Sequence, residues 1–159
     1  MGQRDLPADQ ATLTRRYTEQ VISFIENNQA TPFFVYLPHT FPHLPLFASP
    51  DFHGKSANGR YGDAIEEIDW STGQILDCLD RLELTENTLV IFTSDNGSNG
   101  RNGGSNQPLS GAKGSTMEGG MRVPMIARGP GRIAAGSTCR ELATTMDLLP
   151  TFCSLTGAP

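Results

Sequence analysis

The chain has 159 residues and a mass of 17.2 kDa, which suits a single domain over residues 1–159 with one hydrophobic core. Its formal net charge of -5 and isoelectric point near 5.1 exclude a sequence-wide attraction to nucleic acid or to an anionic membrane surface. No apolar run approaches the roughly 20 residues of a transmembrane helix, and the first five residues do not begin a signal peptide, so no membrane partner is expected.

The first half of the chain predicts two amphipathic helices and two buried strands. Apolar residues recur every three or four positions over 12–27 and again over 61–82, with charged residues between them, as on a helix with one buried face. Continuous apolar runs over 33–37 and 88–93 have the length of strands that are buried on both faces. The order helix, strand, helix, strand predicts an α/β fold with a parallel sheet.

The second half begins with a long loop and contains shorter elements. Residues 97–120 include eight glycines and few large apolar side chains, and a loop of this length is usually functional or disordered. We predict a short strand over 124–127, a turn over 129–131, and, as one interpretation, a further strand over 138–142. A last helix begins near Asp147, carries Pro150 in its first turn and ends at Gly157.

Asp95 and Asn96 are the first candidate site residues, because they directly follow the predicted strand that ends at Thr93. Ligands of open α/β sheets bind at the carboxyl ends of strands. A carboxylate and an amide oxygen suit Ca²⁺ or Mg²⁺, but Ca²⁺ takes about 6–8 oxygens, so most ligands would come from elsewhere. An ordinary Asp-Asn-Gly turn is the alternative, and position alone leaves both open.

Three further polar residues lie in loops that follow predicted strands. Lys113, between Gly111 and Gly114, can approach a bound oxyanion closely, or it is an ordinary exposed loop lysine; its surroundings lack the spacing of a P-loop. His39 and His43 occupy a proline-rich stretch after the first predicted strand. Each can donate to a leaving oxygen or a bound anion, or can be structural.

Taken together, these segments resemble the sulfatase family, in particular the arylsulfatase-like members of the alkaline phosphatase superfamily. The resemblance is carried by FFVYLPH at 33–39 with the following Pro42-His43, VIFTSDNG at 90–97 and KGSTMEGGMRVP at 113–124, and it extends from about residue 13 to residue 159. It implies an α/β fold, namely an incomplete alkaline-phosphatase-like sandwich with a mostly parallel central sheet flanked by helices.

The resemblance also implies roles for the candidate residues. Asp95 and Asn96 would ligate a divalent cation, Ca²⁺ or alternatively Mg²⁺. Lys113 would neutralise a sulfate oxygen, His43 would contact the sulfate or the leaving oxygen, and His39 is a further candidate substrate contact. The substrate would be a small sulfate ester or a sulfated glycan, since a cation and a lysine around the sulfate oxygens stabilise the charge of the transition state.

One part of the family pattern has no counterpart in these 159 residues. The family's nucleophile is a cysteine or serine in C/S-x-P-x-R that is oxidised to formylglycine, and Cys78, Cys139 and Cys153 have other surroundings. The cysteines also form no C-x-x-C pair, so neither a disulfide framework nor a zinc site is predicted. We therefore expect the later part of a catalytic domain, without the family's C-terminal subdomain, that is inactive alone and whose partner is a missing N-terminal segment.

Two other functions remain open from the sequence. Hydrolysis of phosphate or phosphonate esters is one, because a metal ion and a lysine serve a phosphoryl oxyanion equally well. A non-catalytic fragment that binds calcium or an anion is the other. Neither the substrate nor the oligomeric state is predicted, and localisation is also left open, although sulfatases are often periplasmic or secreted.

Overall fold

The computed structural model describes residues 8–158. Its elements in chain order are helix α1 (Leu13–Asn28), helix α2 (Gly59–Arg81), strand β1 (Val90–Thr93), a short helix α3 (Glu118–Met121), strand β2 (Met125–Arg128) and helix α4 (Leu148–Thr156). Single 3-10 turns precede α1, β1 and α4. Both predicted amphipathic helices are therefore confirmed, with bounds within two residues of those expected. None of the helices in the described part is long and apolar enough to cross a bilayer.

Helices α1 and α2 pack against each other and bury most of the core. One apolar cluster is centred on Ile25, Cys78 and Leu79, and a second on Phe41, Ala64 and Ile68. Between the helices lies a buried polar contact, in which the hydroxyls of Thr18 and Ser71 are 2.6 Å apart. Each of these two buried hydroxyls thus has a partner, which avoids the cost of an unsatisfied polar group.

The two strands form an antiparallel pair. Val90 lies opposite Arg128 and Thr93 lies opposite Met125, and the guanidinium of Arg128 donates to the Asp80 carboxylate of α2 at 3.1 Å. The predicted strands over 88–93 and 124–127 are confirmed with small shifts, as is the turn over 129–131, where Gly131 has φ 74°. The expected burial of the first of these strands on both faces is wrong, because Val90, Ile91 and Thr93 are half-buried and Phe92 is exposed. The sheet of the described residues has these two strands alone, so the expected mostly parallel sheet is not seen in this part of the fold.

The strand predicted over 33–37 is wrong in its pairing and in its burial. This segment has no partner strand in the described part of the chain, and its residues alternate between half-buried and exposed. Phe33 packs beside the Ile25 cluster and against Phe24 edge-on, whereas Phe34 and Tyr36 are 69% and 79% exposed. A run of apolar residues does not reveal whether neighbouring strands exist to cover both faces.

The C-terminal region contains a helix but no further strand. Residues 138–142 belong to no strand and are exposed, so the interpretation of this segment as a strand is wrong. The predicted last helix is confirmed as α4, and Gly157 ends it with φ 72° in the left-handed region that glycine adopts without strain. Phe152 of α4 lies against Phe34, with ring centroids 5.6 Å apart.

Candidate functional site

The long loop between β1 and β2 is fastened by backbone hydrogen bonds between segments distant in sequence. The amide of Gly97 donates to the carbonyl of Gly120 at 3.0 Å, and the amide of Gly119 donates to the carbonyl of Ser110 at 2.7 Å. The amide of Lys113 donates to the carbonyl of Ser98 at 2.9 Å. The segment after Asp95-Asn96 and the segment that carries Lys113 are therefore neighbours.

Three glycines make this close approach feasible. A Cβ at Gly97 would lie 1.9 Å from the carbonyl oxygen of Gly119. A Cβ at Gly119 or Gly120 would lie 2.4 Å from the carbonyl oxygen of Gly111 or Ser115, respectively. Since real Cβ atoms do not approach backbone oxygens so closely, the loop folds this way only with glycine at these positions.

Asp95 and Asn96 present oxygens that suit part of the coordination shell of a hard cation. The Asp95 side chain is exposed and accepts no hydrogen bond within residues 8–158. The Nδ2 of Asn96 donates to the carbonyl of Gly97 at 3.0 Å, which turns its amide so that Oδ1 remains available. These donors fit calcium in kind but not in number, because no group of three or more His, Cys, Asp or Glu residues in the described ranges is placed to hold a metal.

Lys113 is exposed at a sharply turned part of the loop. It lies between Gly111 and Gly114, both with φ 88°, and its ammonium forms no ion pair within the described residues. A lysine without an internal carboxylate partner keeps its charge available to an external anion. Its backbone is nevertheless anchored at Ser98, so only the side chain is free to adjust.

His43 and His39 differ in environment. His43 is exposed, and its Nδ1 lies 2.8 Å from the carbonyl oxygen of Leu44, which assigns a proton to Nδ1 because a carbonyl oxygen can only accept. His39 is half-buried beside Tyr17, and burial lowers its pKa, so this imidazole is neutral near pH 7. The Nδ1 of His39 is buried without a hydrogen-bond partner in the described part.

The structure brings together some of the candidates and not others. Lys113 lies near Asp95-Asn96 because its amide donates to the carbonyl of Ser98, two residues after Asn96. No hydrogen bond or ion pair within residues 8–158 links either histidine to these residues, so the roles of His39 and His43 stay predictions.

Sequence reasoning did not identify Asn106, whose side chain fastens the same loop. Its Oδ1 accepts from the amide of Ser98 at 2.8 Å, and its Nδ2 donates to the carbonyls of Ser98 at 2.8 Å and Gly111 at 3.1 Å. An asparagine in a loop rich in glycine, serine and asparagine carries no local signal of such contacts.

Comparison with known proteins gives one consistent result. A family model described as Sulfatase matches residues 2–158. Human steryl-sulfatase is 47% identical over 161 residues, which cover 96% of this chain and 28% of that protein. The N-acetylgalactosamine-6-sulfatase of Canis lupus familiaris is 47% identical over 159 residues, which cover 96% of this chain and 30% of that protein. This chain thus spans less than a third of the length of these curated relatives.

A solved structure agrees with the sequence matches. This structure is associated with the metabolism of multiple glycosaminoglycans by Bacteroides thetaiotaomicron. It aligns with the present chain with a TM-score of 0.88 and 32% sequence identity. The alignment covers 96% of this chain and 34% of that one. The arrangement of helices, strands and loop described above is therefore found within a larger protein.

Proposed function

Because the chain belongs to the sulfatase family, we propose that it supplies the cation- and sulfate-binding part of an active site that hydrolyses a sulfate monoester. One observation supports this proposal above all: the hydrogen bond from the Lys113 amide to the Ser98 carbonyl keeps the lysine beside the Asp95-Asn96 segment. A cation ligated by the Asp95 carboxylate and the Asn96 amide oxygen, together with the nearby ammonium of Lys113, would surround one small anion with positive charge.

Asp95 and Asn96 are proposed as ligands of calcium, with magnesium as the alternative. The exposed carboxylate of Asp95 and the free Oδ1 of Asn96 are hard oxygen donors. A bound calcium ion would supply positive charge against the oxygens of the sulfate group. Since two residues provide only part of a calcium shell, further oxygen ligands, including water, would complete it.

Lys113 and His43 are proposed to act on the substrate directly. The ammonium of Lys113 neutralises a sulfate oxygen, and the adjacent glycines allow the loop to approach it closely. The Nδ1 of His43 is held by the Leu44 carbonyl, so Nε2 is the nitrogen proposed to contact the sulfate or the leaving oxygen. His39, which is neutral, would contribute a contact without charge.

The substrate class and the complete fold are also proposals. The names of the relatives include a steryl-sulfatase and an N-acetylgalactosamine-6-sulfatase, so both a small sulfate ester and a sulfated glycan are consistent with this site. In the complete domain, we propose that further strands extend the sheet into a mostly parallel, alkaline-phosphatase-like arrangement. The isolated chain, without the C/S-x-P-x-R nucleophile, is proposed to be inactive.

A chimera tests the proposed activity. Residues 8–158 replace the aligned segment of the canine N-acetylgalactosamine-6-sulfatase, the rest of that protein is kept, and hydrolysis of nitrophenyl sulfate is measured with CaCl₂ or with a chelator. We expect turnover that requires calcium, and a loss of about 100-fold or more in kcat/KM for Asp95→Ala and Lys113→Ala. Asp77→Ala removes an exposed aspartate of α2 and is the matched control.

Three outcomes would contradict parts of this proposal. Preference for nitrophenyl phosphate over nitrophenyl sulfate would favour a phosphoryl substrate. Calcium binding without turnover in a folded chimera would favour a non-catalytic binding module. Hydrolysis by the isolated 159-residue chain would show that its own residues contain a nucleophile.

A further inference from the structure

Asn106 forms a paired contact with the backbone of Ser98. The Ser98 amide donates to Oδ1 at 2.8 Å, and Nδ2 donates back to the Ser98 carbonyl at 2.8 Å. This pair fixes the orientation of the side-chain amide, because the reversed orientation would set NH₂ against N–H and oxygen against oxygen. The side chain therefore reproduces the double hydrogen bond of two paired strand residues.

The same side chain extends to the segment that carries the lysine. The second Nδ2 proton of Asn106 donates to the Gly111 carbonyl at 3.1 Å. The Ser98 carbonyl, which already accepts from Asn106, also accepts from the Lys113 amide at 2.9 Å. One side chain thus uses both of its donors and an acceptor to tie the backbone at Ser98 to the backbone at Gly111.

We propose that Asn106 is the positioning residue that sets the distance between the Asp95-Asn96 pair and Lys113. This inference rests on the proposed function, since it assigns both groups to one anion site. Asn106 itself touches neither group, so it acts only through the backbone of Ser98 and Gly111. A small change in the distance between the Asp95-Asn96 pair and Lys113 would weaken the simultaneous binding of one anion by the ligated cation and by the ammonium of Lys113.

The test compares three variants of the 159-residue chain. Asn106→Asp keeps the acceptor for the Ser98 amide, removes both donors and places a negative charge against two carbonyl oxygens. Asn106→Ala removes all three hydrogen bonds. Asn99→Ala is the matched control, because the Oδ1 of Asn99 accepts only the local bond from the Arg101 amide. Amide hydrogen exchange and urea unfolding are measured on each variant.

We expect amide exchange at Lys113 to rise about three- to tenfold in both Asn106 variants, while the unfolding midpoint changes little. Exchange at Ser98 is expected to rise in Asn106→Ala but to stay near the wild-type rate in Asn106→Asp, because the introduced carboxylate still accepts from the Ser98 amide. Unchanged exchange at Lys113 in Asn106→Ala would overturn the inference, as would an equal rise at every amide of the chain.

A sulfate titration separates this inference from the proposed function. With CaCl₂ present, amide chemical shifts of Ser98 and Lys113 are followed as Na₂SO₄ replaces NaCl at constant ionic strength. In the wild type, we expect the amide chemical shifts of Ser98 and Lys113 to change together as sulfate is added. This change should be several-fold weaker in Asn106→Ala and the same as wild type in Asn99→Ala. A wild-type chain without response, together with faster exchange at Lys113 in Asn106→Ala, would reject sulfate binding by this chain and support the positioning role. An equal sulfate response in Asn106→Ala would overturn the positioning role.

Discussion

The two halves of the molecule are stabilised by different means. In the helical half, residues 8–82, the buried positions include apolar side chains such as Ile25 and Leu79 and polar ones such as Thr18 and Ser71. In the loop-and-sheet half, residues 83–158, every residue that the structure describes as buried is a glycine. The glycines are Gly97, Gly119, Gly120 and Gly129.

This difference shows how the candidate site is supported. The helical half depends on apolar side chains removed from water, the dominant favourable contribution to folding. The loop-and-sheet half, which contains Asp95, Asn96 and Lys113, depends on backbone hydrogen bonds and on glycines that permit close contact. Substitutions of the exposed site side chains, which leave these backbone contacts intact, should therefore change the global stability of the chain little.

The same substitution in the two halves gives the largest expected contrast. Leu79 is 1% exposed within the Ile25 cluster, so Leu79→Ala should lower the free energy of unfolding by about 2–5 kcal/mol. Leu142 is 97% exposed, and Leu142→Ala should change the free energy of unfolding by less than about 0.5 kcal/mol. Urea unfolding of both variants measures the difference. Equal losses would show that Leu142 is covered in solution and that the contrast between the halves is wrong.

A single methyl group added to a glycine should act in opposite directions in the two halves. Gly97→Ala places a Cβ 1.9 Å from the Gly119 carbonyl oxygen and should cost about 1–3 kcal/mol, because backbone on both sides must move. Gly73→Ala in α2 meets no atom within 4 Å and should stabilise the chain by about 0.5–1 kcal/mol through helix propensity. Thermal unfolding gives both values, and stabilisation by Gly97→Ala would contradict the close contact.

The last expected contrast is a dependence on acid within the helical half. Amides of Ser56, Gly54 and Lys55 donate to the buried Asp63 carboxylate and lower its pKa below the ordinary value of 3.8. Because the folded-state pKa is the lower one, the contribution of Asp63 is fully present above about pH 4 and is lost as pH falls through the folded value. The stability of Asp63→Asn should therefore be below wild type at pH 7, and the difference should shrink as pH falls through the folded-state pKa of Asp63.

Urea midpoints between pH 7 and pH 2 check this prediction. Asp77→Asn, which changes an exposed aspartate of the same helix, should follow the wild-type curve. A constant difference between wild type and Asp63→Asn across the whole pH range would mean that the hydrogen bonds do not depend on the charge of Asp63.

Part of the site could be predicted from sequence because its residues are close to one another along the chain. Asp95 and Asn96 follow a recognisable strand, and Lys113 lies among glycines in a segment that matches a sequence motif of the family. Asn106 could not be predicted, because its partners Ser98 and Gly111 are selected only when the loop folds back on itself.

Sequence by itself determined the helices, the strand before Asp95 and the family, since helical periodicity and short motifs are local properties of the chain. Only the tertiary structure decided that the segment over 33–37 lacks a partner strand within the described residues and that β1 pairs antiparallel with β2. It also decided that Lys113 lies beside the Asp95-Asn96 segment through Ser98. The physical reason is the same in each case: strand pairing and loop contacts join residues far apart in sequence, and a local pattern does not specify such partners.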